Sequence, residues 1–121
     1  MDLNKLIEYC LTKKGAYTDL PFGPQPICIK IKGKIFAQFY TEDNHRKVSL
    51  KCERDYGEFF RQQFPGVIVR GYFCPPIQQP YWNTVYPSDL LDETLWLDMI
   101  DHAYTAVVKK LPKKTRMEYD M

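Results

Sequence analysis

ICIKIKGKIFAQFY, residues 27–40, decides how this chain is read. Ile27, Ile29 and Ile31 alternate with Cys28, Lys30 and Lys32, the period-two pattern of a strand with one apolar face. Gly33 marks a turn, and the length of that turn sets which residues share a face afterwards. A two-residue loop would mix lysines with isoleucines. A three-residue loop keeps Ile27, Ile29, Ile31, Ile35, Ala37 and Phe39 together, with Gly33 free to take positive φ. The three-residue loop is therefore expected, with Lys30, Lys32 and Lys34 clustered at the hairpin tip and on the opposite face.

Working outward, Leu3, Leu6, Ile7, Cys10 and Leu11 recur at helical spacing over residues 2–14, with Asp2 as cap and Gly15 as stop. The following AYTDLPFGPQP holds three prolines and a glycine and reads as an irregular connection. Downstream, TEDNHRK reads as a loop and VSLKCE as a third strand with Val48, Leu50 and Cys52 inward. RDYGEFFRQQF, residues 54–64, reads as a helix, although Gly57 inside it costs about 1 kcal/mol against alanine. GVIVRGYF and YWNTVY are expected strands around PPIQQP, whose prolines confine that run to an edge or an excursion. Residues 88–111 form the longest helix, capped by Ser88 or Asp89, with acids in its first turn and Lys109 and Lys110 at its end. The order α-β-β-β-α-β-β-α implies an α+β domain: an antiparallel sheet of about five strands with helices packed on one face.

The chain has 121 residues, one domain's worth, with 45% hydrophobic residues to build a single core. Residues 1–116 are read as that domain and 117–121 as a short tail. MDLNKLIEYC shows no basic run leading into an apolar stretch, and no window approaches a membrane span, so a cytoplasmic protein is expected. Cys10, Cys28, Cys52 and Cys74 form no C-x-x-C pair and read as free thiols, mostly buried.

Residues 15–23 (GAYTDLPFG), 34–37 (KIFA), 50–52 (LKC), 65–67 (PGV), 82–85 (WNTV), 89–95 (DLLDETL), 100–104 (IDHAY) and 111–114 (LPKK) follow one another in a particular order. In that order and spacing the chain resembles MmcQ/YjbR-like proteins from about residue 2 to about residue 116. The resemblance implies a secretion-chaperone-like α+β fold and DNA binding through a double-wing arrangement. One stretch departs from it. Members often read G-Y-H-M-N-K-x-H-W-N-T-V, whereas residues 71–85 here lack the His-Met-Asn-Lys portion and the histidine before Trp82.

Basic residues are the main functional lead. Lys30, Lys32, Lys34, Arg46, Lys47 and Lys51 outnumber Glu42 and Asp43 across residues 24–51, and such a patch can neutralise phosphates. With Gln38 and Asn44 adding polar contacts to sugar or base edges, the hairpin tip and the next loop would act as two wings on a duplex. LPKKTR, residues 111–116, reads as a charged tail.

The alternative is a protein-interaction adaptor using the aromatic region 72–86, with Tyr81, Trp82 and Asn83 in a groove. The plainer reading puts Trp82 in the core, with Asn83 satisfying backbone groups. No catalytic motif is recognised and an enzyme is not expected. Asp98, Asp101 and His102 lack a visible third or fourth partner for a metal, so neither metal nor cofactor is expected and His102 is read as structural.

Overall fold

The computed structural model describes residues 2–119; the last two residues of the expected tail lie outside them. Its elements run α1 (Leu3–Leu11), β1 (Tyr17–Asp19), β2 (Ile27–Ile31), β3 (Lys34–Glu42), β4 (His45–Lys51), α2 (Arg54–Gln63), β5 (Ile68–Arg70), β6 (Trp82–Val85), α3 (Glu93–Val108) and α4 (Lys113–Arg116). The six strands form one antiparallel sheet in the order β1-β2-β3-β4-β6-β5. The α+β class holds. The sheet gains β1 from the segment expected to be irregular, and part of the expected charged tail is α4.

The β2–β3 turn differs from the expected one. Ile31 pairs with Lys34, so the loop has two residues, Lys32 and Gly33, at φ 49° and 78°. Two consecutive positive φ values match the right-handed strand twist that two-residue hairpins require. A β-bulge removes the conflict this turn would otherwise create. Lys30 faces Ile35, and the next pair is Ile29 with Ala37, leaving Phe36 as the extra residue. Phe36 and Ala37 are both fully buried, and Ile35 is the residue displaced from the core. Phe36 meets Tyr104 of α3 edge to face at 5.6 Å. TEDNHRK is likewise mostly strand: β3 and β4 run to Glu42 and His45, joined by Asp43 and Asn44 at positive φ.

One sheet face carries Ile29, Phe39, Val48, Leu50, Ile68 and Val85 into a core shared with Leu6 and Cys10 of α1 and Trp96, Ile100 and Ala103 of α3. The second helix packs on this same face at the β5–β6 edge. Gly57 makes that approach possible, since a Cβ there would sit 2.5 Å from Cys52 Sγ. Asp92 caps α3, accepting from the Leu95 N–H at 2.8 Å, in place of the expected Ser88 or Asp89. Tyr9 and Lys13 both bond the Asp101 carboxylate and so join α1 to α3.

Burial pushes the Cys10 thiol up to about 12 and the Cys52 thiol to about 11, so neither is a thiolate at neutral pH.

Candidate binding groove on the open face of the sheet

The face turned away from the helices carries a different set of residues. Strand register lines up Cys28, Gln38, Ser49, Thr84 and Val69 in one row across β2, β3, β4, β6 and β5. The Ser49 hydroxyl lies 3.1 Å from both the Tyr40 hydroxyl and the Thr84 hydroxyl, so these three form a chain of hydrogen bonds across the floor. This row is buried although nothing from the helical layer covers it: Ser49 is fully buried, Thr84 is 5% exposed and Gln38 is 9% exposed.

Two loops provide the cover and wall a groove of about 590 Å3. Phe22 and Pro26, from the β1–β2 connection, form one wall. Gln25 fastens that wall: its side chain donates to Thr41 O at 3.0 Å and accepts from Thr41 N at 3.1 Å, continuing the β2–β3 ladder ahead of β2. Tyr72 and Phe73, from the β5–β6 connection, form the other wall, and Tyr86 also lines the groove. Phe73 meets the Trp82 ring edge to face at 5.4 Å. The loop lies this close because residue 71 is glycine; a Cβ there would stand 2.5 Å from Trp82 Cβ. Phe22 and Tyr72 are 70% and 69% exposed, so the walls present large apolar area to solvent.

Two lysines of this face are paired with carboxylates within it. Lys47 bonds Glu42 at 2.8 Å and lies over the Tyr86 ring, and the Glu42 carboxylate holds the Lys47 ammonium above its ordinary range. Lys30 bonds Asp19 at 2.6 Å, and each raises or lowers the other toward the charged pair.

The six basic residues read from the sequence are divided: Lys30, Lys47 and Lys51 alternate onto the open face of the sheet, and Lys32, Lys34 and Arg46 lie at its two ends. Lys32 and Lys34 belong to the β2–β3 turn and Arg46 and Lys47 to the β3–β4 turn, at opposite ends of β3. Its nine residues set the two turns roughly 25–30 Å apart. Lys30 and Lys47 are ion-paired as described, and Lys32 is 3.4 Å from Glu118. Lys51 is half-buried against the Tyr81 and Trp82 rings; burial, then the Lys110 charge, lowers its pKa. Lys34 and Arg46 are exposed, with no ion pair among the described residues.

Nor do Tyr81, Trp82 and Asn83 share a groove. Trp82 and Thr84 point to the open face, and Asn83 points to the helical side. There its amide accepts from Arg61 Nη1 at 2.7 Å and donates to Gly57 O at 3.3 Å. His102 accepts from the Glu53 backbone N–H at 3.0 Å and stacks on Tyr56 at 3.5 Å. Asp101 is engaged by Tyr9 and Lys13, so the three residues weighed as a metal site are not gathered as one. Sequence reading placed Gln38 on the outer face but did not connect it with Tyr40, Tyr72 or Phe22. The alternation of β3 was the available signal; the wall residues come from loops that periodicity cannot place.

An antiparallel meander with its helices on one face and a loop-walled groove on the other defines a small α+β domain of recognised kind. The chain belongs to the YjbR family, whose model matches residues 11–106. It is 28% identical over 116 residues to the uncharacterized protein YjbR of Escherichia coli K12, covering 96% of this chain and 95% of that protein. It is 31% identical over 94 residues to the uncharacterized protein YbdF of Escherichia coli O157:H7, covering 78% and 74%. The crystal structure of Deinococcus radiodurans protein DR2400, a DUF419 domain, superposes with a TM-score of 0.84 at 25% identity, covering 97% of this chain and 86% of that one. A Pseudomonas syringae protein gives 0.69 at 18% identity, covering 88% and 98%.

Proposed function

We propose that this protein is a non-catalytic binding module whose working surface is the open-face groove, and that the groove receives an apolar segment of a partner protein. One observation carries the reading: exposed aromatic walls stand over a floor that holds a buried polar row. Burying the wall area on binding is favourable at about 25 cal/mol per Å2, and aromatic side chains on two pinned loops lose little freedom on contact. Charge supports the same choice. Of the two cations lining the groove, Lys47 and Arg70, Lys47 already holds Glu42, so a polyanion finds there one cation unpaired among the described residues.

The test is selection of peptides from a random display library on the immobilised protein, with counter-selection on a Tyr72→Ser/Phe73→Ser variant. Peptides rich in aromatic or branched residues are expected to bind the wild type and lose at least tenfold in affinity on the variant. Enrichment that is indifferent to the variant overturns the groove reading.

DNA contact is a second reading, favoured by Lys34 and Arg46, exposed at the two turns and without ion pairs among the described residues. With two such contacts, duplex affinity should be weak and the logarithmic salt slope close to −2. A gel-shift series over salt concentration, with Lys34→Glu and Arg46→Glu alongside, measures it. A steep slope that survives both substitutions would place any DNA contact elsewhere.

A further inference from the structure

Gln38 is a polar side chain of the groove floor with no hydrogen-bond partner among the described residues. It sits on β3 at the centre of the floor, and its backbone is held between β2 and β4. The residue is nine-tenths buried and lines the cavity, where its carboxamide opens to solvent and is bonded by no other described residue. The neighbouring hydroxyls do not compete for it, because Ser49 bonds Tyr40 and Thr84. A carboxamide offers one acceptor and two donors, here open to an occupant of the groove. The matching chemistry is another amide, which presents a C=O and an N–H side by side.

We propose that Gln38 is the polar anchor of the groove: it pairs with a peptide group of an extended partner segment and so fixes that segment's register. The adjoining side chains of the segment then pack on Phe22 and Pro26 to one side and on Tyr72 and Phe73 to the other. This rests on the groove reading above. A nucleobase edge can also pair with a carboxamide, but of the cations lining the groove Lys47 is already held by Glu42 and only Arg70 is left for phosphates, while the walls are apolar, so a protein segment is favoured.

The experiment is an NMR titration of 15N-labelled full-length protein with two probes. One is the blocked pentapeptide acetyl-Ala-Phe-Ala-Phe-Ala-amide; the other is hexathymidylate. Wild type, Gln38→Leu and Tyr72→Ser/Phe73→Ser are compared. With the peptide, the Gln38 side-chain NH2 resonances should move together with the Tyr72 and Phe73 amides. Gln38→Leu should stay folded, keep the wall shifts and bind about tenfold more weakly. If Gln38→Leu binds as tightly as wild type, or if the walls shift while the Gln38 NH2 stays still, the anchor role is overturned and the groove reading stands. If the peptide moves neither walls nor floor, the groove reading fails and takes the anchor with it. If only hexathymidylate moves them, the occupant is nucleic acid and the proposal is overturned. The wild-type NH2 signal answers the question even where the leucine variant does not fold.

Discussion

Gly57 shows how far one residue's meaning depends on its neighbours. In a helix it costs about 1 kcal/mol relative to alanine, so propensity alone makes Gly57→Ala stabilising. In the fold, the added methyl would meet Cys52 Sγ at 2.5 Å and Arg61 Nη1 at 3.0 Å. Overpacking of this kind costs about 1–3 kcal/mol and should outweigh the gain. Urea denaturation of Gly57→Ala is expected to give a net loss of up to about 2 kcal/mol; an increase in stability would show that α2 can move outward. Asn83 belongs to the same contact, bridging Arg61 and the Gly57 carbonyl. Its place in a run beside Trp82 suggested recognition, but its burial at 4% exposure makes it a support for α2.

At the level of elements, caps and turns decide boundaries. Three acidic or hydroxyl residues precede α3, and only Asp92 reaches a helical N–H. Ser88 instead accepts from the Leu90 N–H in the turn before it. Asp92→Ala should cost about 1 kcal/mol and Ser88→Ala less than half of that, read as shifts in thermal midpoint. Equal effects would mean that α3 begins earlier in solution.

The helices of the core were legible because three turns of apolar spacing leave little choice. The β2–β3 register was not. Its turn length and its bulge are coupled, and each was chosen by burial of Phe36 rather than by alternation. Gly33 was read as a turn residue with positive φ, which it is; Lys32 sharing that conformation could not be read locally.

For the whole molecule, His102 ties α3 to the start of α2. Burial lowers its pKa, and its Nε2 accepts from Glu53, which requires the neutral ring. In the unfolded chain the imidazole titrates near its ordinary 6.5. Below that pH the unfolded state binds the proton first. This contribution to stability is therefore complete above about 6.5 and declines as pH falls toward the lower folded value. Stability measured by urea between about pH 5 and 7 should fall on acidification, and His102→Gln should flatten that slope by keeping an acceptor that does not titrate. An unchanged slope would assign the acid sensitivity to other groups.

Periodicity and composition by themselves determined an α+β domain, its three principal helices and most strand positions, because each helix or strand must turn one apolar face to a common core. The ordered sequence motifs also carried the family. Only the tertiary structure decided the site. Consecutive hairpins point to opposite ends of the sheet, so lysines close in sequence were parted, and Lys30, Lys32 and Lys47 were paired with carboxylates. Two loops far apart in the chain were instead brought over one polar row, an arrangement set by long-range sheet register rather than by any local pattern.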